Sequence, residues 1–258
     1  MEGYHKKPRP KKSALVSGRQ PLVEALRGGK PIDKILMQKG ASGEAITIIR
    51  QLATERNIPV QYVPIEKLNA VSRGNHQGVI AYTAAIQYQE LQQVISFVIE
   101  KGETPLFLIL DSITDVRNIG AIARSALCLG VQALIIPDKG VAPLQEDAIK
   151  SSAGALENIL VCRVNSLMKA VDELHLNGIR VFASEMTASN LLSACDFTLP
   201  CAIIMGNEEK GVYPALLKIA DEQFKIPMTG DFESLNVSVA TGIILYEVQK
   251  QRSDTTLP

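Results

Sequence analysis

The chain has 258 residues, 46% of them apolar and 21% charged, enough for one large domain or two smaller ones with ample core. No apolar run reaches the roughly 18 residues a membrane-spanning helix needs, and the opening Met-Glu-Gly-Tyr-His-Lys-Lys is not followed by an apolar segment, so neither a membrane protein nor a secretory leader is expected. The cysteines Cys128, Cys162, Cys195 and Cys201 lack metal-type spacing and read as buried small hydrophobes, while His5, His76 and His175 are too dispersed for a metal site.

Charge is balanced overall but not along the chain. Residues 1–12 carry a net +4, residues 13–103 a net +2 and residues 104–258 a net −6. A polyanion would meet the N-terminal part first.

The basic segment 1–12, with Pro8 and Pro10, is expected to be a disordered tail, with order beginning near Ser13. Ser17-Gly18-Arg19-Gln20-Pro21 reads as a turn into a short helix, Leu22 to Arg27, closed by Gly28-Gly29. Ile32–Met37 reads as a strand. Ile46, Ile49, Leu52 and Ala53 share one face of a helix over about 43–56. A strand at Val60–Val63, a helix at Ile65–Val71 and a strand at Val79–Tyr82 complete a small α/β module over 13–84. The polar turn Arg73-Gly74-Asn75-His76-Gln77-Gly78 precedes that last strand and offers groups able to contact phosphate. A helix at Glu90–Lys101 and the segment Lys101-Gly102-Glu103-Thr104-Pro105 make 85–103 a helix and linker.

From 104 to 252 strands and helices alternate. Leu106–Leu110 is apolar throughout, as in a parallel strand buried on both faces. Ile119, Ile122, Ala126 and Leu127 define a helix closed by Gly130, and Ala133–Ile136 is a strand. Ala148–Ala155 reads as helix, Ile159–Val161 as strand, Leu167–Leu176 as helix and Ile179–Ala183 as strand. Ala202–Met205, Pro214–Ala220 and Phe224–Ile226 follow as strand, helix and strand. The last helix spans about Leu235–Lys250, leaving 253–258 as a tail. Such alternation predicts a doubly wound parallel sheet that binds ligands beyond the carboxyl ends of its strands. No Gly-x-Gly-x-x-Gly follows the first strand, and no Gly-x-x-x-x-Gly-Lys-Ser/Thr appears, which argues against a dinucleotide or triphosphate enzyme.

Three segments stand out. They are Asn118-Ile119-Gly120-Ala121-Ile122-Ala123-Arg124-Ser125-Ala126, then Met205-Gly206-Asn207-Glu208-Glu209-Lys210-Gly211, and then Ile226-Pro227-Met228 through Ser234-Leu235-Asn236-Val237-Ser238. In this order they resemble the three motifs of the SpoU (TrmH/RlmB-type) RNA 2′-O-ribose methyltransferases of the SPOUT superfamily. Lys150-Ser151-Ser152-Ala153-Gly154-Ala155 is similar to that family's mid-domain segment, and residues 13–83 resemble its L30e-like substrate-binding domain.

The resemblance implies a parallel sheet with a deep C-terminal trefoil knot. It implies S-adenosylmethionine as methyl donor without a metal, an RNA substrate, a homodimer formed through the catalytic domain, and a cytoplasmic protein. Carried over residue by residue, Arg124, Asn118, Glu208, Ser234 and Asn236 would be catalytic. Gly206, Ile226, Leu235, Met205 and Met228 would hold the donor, and Arg73, His76, Gln77 and Arg19 would contact RNA. The closest branch acts on a guanosine of large-subunit (23S) rRNA. A tRNA 2′-O-methyltransferase of the same family and a non-catalytic RNA-binding or ribosome-assembly factor are the alternatives. Arg124 has two possible parts, a transiently neutral base or a charged clamp on phosphate and oxyanion. Asn118 is placed to orient Arg124 or the ribose, Glu208 to hold Arg124 or Asn236, and Ser234 to cap the last helix.

Overall fold

The computed structural model describes residues 15–229 and 234–254. The expected basic tail, the start of order near Ser13 and residues 255–258 lie outside the described residues. The chain divides after Ala84 into two compact units.

The first unit runs β1 (Leu15–Ser17), α1 (Arg19–Arg27), β2 (Ile32–Gln38), α2 (Glu44–Glu55), β3 (Val60–Val63), α3 (Ile65–Val71) and β4 (Val79–Thr83). Its sheet has the order β1-β4-β2-β3, with β2 and β3 parallel and the other pairs antiparallel. Helices α1 and α2 cover one face through Leu22, Leu26, Ile46 and Ile49. Helix α3 sits on the other, over Leu36, Val63 and Ile80. Sequence pattern misses β1, because three residues are too few to show alternation. Ser17 ends that strand, and α1 starts at Arg19, a turn earlier than expected.

The second unit begins with α4 (Leu91–Glu100), capped by the Glu90 carboxylate, which accepts from Gln92 N and Gln93 N. It continues with β5 (Leu106–Leu110), α5 (Val116–Cys128), β6 (Ala133–Pro137), α6 (Glu146–Ser151), β7 (Leu160–Val164), α7 (Leu167–Leu176), β8 (Arg180–Ser184), β9 (Asn190–Leu191), β10 (Cys201–Met205), α8 (Pro214–Ile219), β11 (Glu222–Lys225) and α9 (Val237–Asp254). All seven strands are parallel, in the order β7-β6-β5-β10-β8-β11-β9.

The apolar run of β5 serves two cores. Leu106, Leu108 and Leu110 face the cluster shared with α5 and α9, while Phe107 and Ile109 face the one shared with α4, α7 and α8. Because α4 packs in that second core, Lys101–Pro105 is a loop inside this unit rather than the expected linker. The expected helix over 148–155 breaks after Ser151, where Ala153 and Gly154 take left-handed φ of 51° and 85°. The last helix starts two residues later than expected and runs on to Asp254.

From β5 the sheet grows outward through β6 to β7. It then starts afresh on the other flank, where β10 lies between β5 and β8. This reversal makes the carboxyl ends of β5 and β10 the switch point, the place such sheets leave open for a ligand. The two strands run in step, from Cys201 beside Leu106 to Met205 beside Leu110, so Asp111 and Gly206 emerge side by side. After β11, α9 lies against α5 and contributes Val237, Ile244, Leu245 and Val248 to the core they share. The far end of α9 is fastened by Arg252, which donates to the carbonyls of Phe197, Thr104, Pro105 and Leu199.

Candidate active site

The site is assembled from the ends of β5 and β10 and the first turns of α5 and α9. Gly206 directly follows β10. A Cβ built there would stand 2.2–2.4 Å from the backbone of Gly211 and Val212, so only glycine lets the chain fold back on itself. The turn that follows is closed by reciprocal Asn207–Gly211 backbone bonds of 3.0 and 2.8 Å. The Asn207 side chain accepts from Glu209 N and Lys210 N and donates to Ser112 O, tying the turn to the end of β5. Asp111 adds a second tie. Its buried carboxylate accepts from Tyr213 N at 2.7 Å and from Ser112 Oγ at 2.9 Å. Sequence reasoning gave Asp111 no role, although an acidic residue straight after a fully apolar strand was its signal.

This anchored turn presents Glu208. Its Oε1 accepts from Asn118 Nδ2 at 3.1 Å, from Asn236 Nδ2 at 2.6 Å and from Val237 N at 3.2 Å. Asn236 Nδ2 also donates to Asn118 Oδ1 at 3.0 Å, closing a three-membered network. Asn236 is the N-cap of α9, its Oδ1 accepting from Ser238 N at 3.0 Å, from Val239 N at 3.4 Å and from Ser238 Oγ. Capping fixes the side chain's rotamer and aims its donating end at Glu208. The cap is therefore Asn236 rather than Ser234. Ser234 is exposed at the edge of the described segment.

Asn118 is steadied from below. Asp115 caps α5 through Arg117 N at 2.7 Å, and the Arg117 side chain hydrogen-bonded to it holds the Asp115 carboxyl below the usual carboxylate range. On the same turn, a Cβ on Gly120 would fall 2.4–2.6 Å from Ser151, so α5 and α6 meet at backbone distance.

Arg124 is not part of this network. It lies six positions beyond Asn118 on α5, roughly 9 Å along the axis and about a third of a turn around it. The side chain is exposed and, among the described residues, makes no hydrogen bond or ion pair. Neither Asn118 nor Glu208 holds it. On the adjoining face of α5, Ala121 and Ser125 line a groove of about 520 Å³ with Ser238, Val239, Gly242, Ile243 and Tyr246 of α9. Val239 is 51%, Ile243 39% and Tyr246 65% exposed, so α9 carries a second apolar face directed away from the core.

The expected donor residues share the carboxyl edge of the sheet. Met205 is buried at the end of β10, Ile226 follows β11 and packs partly on the core, and Leu235 lies beside Asn236. Met228 is exposed.

The expected RNA contacts lie in the first unit and divide into two kinds. His76 is buried, accepting from Gly78 N at Nδ1 and pairing with Asn69 Oδ1 through Nε2, so one ring nitrogen serves the loop and the other ties it to α3. Arg19 donates Nε to Gln77 O and Nη1 to Ser42 O, fastening three loops together, and Gln77 Oε1 accepts from Arg19 N. Arg73 is exposed. Among the described residues no group of three His, Cys, Asp or Glu could hold a metal ion, and no helix is long and apolar enough to cross a membrane.

A parallel sheet open at its switch point, with a carboxylate and two amides locked together there, is the arrangement in which α/β proteins bind a ligand. Comparison with known proteins gives its class. Residues 105–246 match the SpoU rRNA methylase family, and residues 15–89 match the RNA 2′-O ribose methyltransferase substrate-binding family. The chain is 36% identical over 239 residues to YacO of Bacillus subtilis (strain 168), which is named a TrmH family tRNA/rRNA methyltransferase; the match spans 92% of this chain and 96% of that one. Among solved structures, an RNA 2′-O ribose methyltransferase aligns with TM-score 0.55 at 25% identity over 93% of this chain and 88% of its own. The SpoU methyltransferase AviRb from Streptomyces viridochromogenes, in complex with AdoMet, aligns with TM-score 0.59 at 26% identity over 93% and 90%. The chain belongs to the SpoU family of RNA methyltransferases.

Proposed function

We propose that the protein transfers a methyl group from S-adenosylmethionine to a ribose 2′-hydroxyl, on a guanosine of 23S rRNA. The Glu208–Asn236–Asn118 network carries this reading. It joins all three motif segments at the carboxyl edge of the sheet, which favours an enzyme over a non-catalytic RNA-binding or ribosome-assembly factor. The donor's sulfonium already activates the methyl group, so the protein has to align three atoms and manage one proton. The Gly206 turn, Met205, Ile226 and Leu235 offer backbone groups and an apolar wall for adenosine, with Met228 at the rim. Glu208 and the cap take up the Asn236 side chain, which in turn fixes Asn118; the remaining polar capacity of Asn118, with Ser234, serves the acceptor ribose.

Arg124 serves as the charged clamp on the acceptor phosphate and developing oxyanion. It reaches the chemistry from a second protomer. The apolar outer face of α9, continuous with the groove beside Ser125, suits a homodimer of catalytic domains, and docking there would bring the Arg124 of one chain toward the network of the other. The insertion of β10 between β5 and β8, followed by the return of α9 over α5, fits the deep trefoil knot of the family. The first unit is the L30e-like RNA reader, with Arg73 exposed and Gln77 and Arg19 shaping its loop. The reaction takes place in the cytoplasm, on naked rRNA or a precursor particle.

Incubation with methyl-labelled S-adenosylmethionine and total rRNA, tRNA or ribosomal precursor particles, followed by mapping of alkali-resistant ribose sites, tests this. Label at a 2′-oxygen of a 23S guanosine is expected. Label in tRNA alone would move the protein to the tRNA branch, and no label in free rRNA, tRNA or ribosomal precursor particles would remove it from the enzymes.

A further inference from the structure

The geometry points to Glu185 as the residue that holds the ribose hydroxyls of the methyl donor. The inference rests on the donor site proposed above and adds to it a residue outside the three motif segments. β8 lies between β10 and β11, so its carboxyl end falls between the two strand ends assigned to the donor. Glu185 is the first residue beyond β8, and its amide donates to Phe224 O at 2.9 Å, which fixes it to the neighbouring strand.

The side chain is half-buried and half-committed. Oε1 accepts from Thr187 N at 3.2 Å and Thr187 Oγ1 at 3.1 Å, inside a turn closed by Ala188 N on Glu185 O. Oε2 has no such partner among the described residues. It points at the Gly206–Gly211 turn, where a Cβ added to Gly211 would stand 3.4 Å from it. Thr187 thus sets the rotamer, and a free carboxylate oxygen is left beside the loop that cradles the nucleoside.

A carboxylate at a strand end is well suited to accept from a ribose hydroxyl. With adenine against Ile226 and Leu235, a carboxylate at the end of the middle strand would be the group left to meet the sugar. Hydroxyl donation to an ionised acceptor supports discrimination of about tenfold or more.

The test is calorimetric binding with the full chain and its Glu185→Gln variant. Gln keeps an oxygen for Thr187, so the turn is retained, and removes the charge. Three probes are used: S-adenosylhomocysteine, 5′-methylthioadenosine, which lacks the amino-acid tail, and the 2′,3′-dideoxy form of the latter. Wild type should bind 5′-methylthioadenosine at least about tenfold more tightly than its dideoxy form. Glu185→Gln should erase that preference and weaken S-adenosylhomocysteine by the same factor. Unchanged 5′-methylthioadenosine binding in the variant would overturn the inference, and so would equal losses for the hydroxyl and dideoxy probes. Weakening of S-adenosylhomocysteine alone would assign Glu185 to the ammonium group instead and also overturn it. Failure of wild type to bind any probe would remove the donor site itself, an outcome distinct from a failure confined to Glu185.

Discussion

Replacing Gly206 by alanine tests the cradle at its tightest point. The added carbon would lie 2.2 Å from Gly211 C, 2.3 Å from Val212 N and 2.4 Å from Gly211 O, all backbone, so no side-chain rotation can relieve it. Ordinary contact requires one strand end to move by about 1 Å, well beyond what a close-packed interior absorbs freely. Neither end is loose. β10 is buried along its whole length, and Gly211 is held by its two bonds to Asn207. Overpacking of this kind costs about 1–3 kcal/mol, and loss of one of the Asn207–Gly211 bonds adds about 1 kcal/mol. With an m-value of about 2–3 kcal/mol/M in urea, Gly206→Ala should lower the unfolding midpoint of the second unit by about 1 M. It should weaken S-adenosylhomocysteine binding alongside. Gly74→Ala is the control, since its added carbon meets nothing nearer than Ser72 Oγ at 3.6 Å. A Gly206→Ala protein with wild-type midpoint and affinity would refute the argument that backbone approach dictates this glycine.

Asn236 separates a structural from a chemical part. Asn236→Ala loses the α9 cap and should cost about 1 kcal/mol of stability, whereas Asn236→Asp keeps a capping oxygen but sets a second carboxylate against Glu208; urea midpoints should fall in the first, and methyl-transfer rates in both. Tyr246→Glu together with Ile243→Asp should yield a folded monomer by light scattering, with methyl transfer lost. Burial pushes the Cys162 thiol up to about 12 and Cys201 to about 11 from an ordinary 9.0, and burial followed by the Glu222 carboxylate pushes Cys195 to about 12. These thiols bind protons more tightly folded than unfolded, so the stability they contribute is complete below about pH 9 and is lost as pH rises toward about 12. At pH 8 a thiol reagent should titrate exposed Cys128 readily and the other three only after unfolding.

Much of the fold was legible because its strands are apolar runs and its helices amphipathic. Leu106–Leu110 could be read residue for residue, since burial on both faces leaves little choice of side chain. β1 and β9, three and two residues long, carry too little pattern, and they exist because a neighbouring strand recruits them. Local sequence pointed to Ser234 as the cap of α9, although Asn236 is as good a capping residue. The choice is made by Glu208, which takes Val237 N and Asn236 Nδ2 and so sets where the helix begins. The motif segments were recognisable one by one, but their joining through a single carboxylate oxygen is a tertiary fact. Glu185 was invisible for a related reason: only the strand order, with β8 between β10 and β11, puts it at the pocket. Arg124 shows the opposite limit. Its motif position marked it, but a single chain leaves it exposed, apart from the groups it was expected to serve.

The central claim is that donor binding and methyl transfer are separable, the first belonging to the strand ends and the second requiring Arg124. The direct measurement pairs S-adenosylhomocysteine calorimetry with single-turnover methyl transfer to rRNA for wild type and Arg124→Ala. Transfer should fall by at least about a hundredfold, as for loss of one oxyanion-stabilising group, while donor affinity stays within a few-fold. Retained transfer, or donor binding lost together with it, would contradict the account.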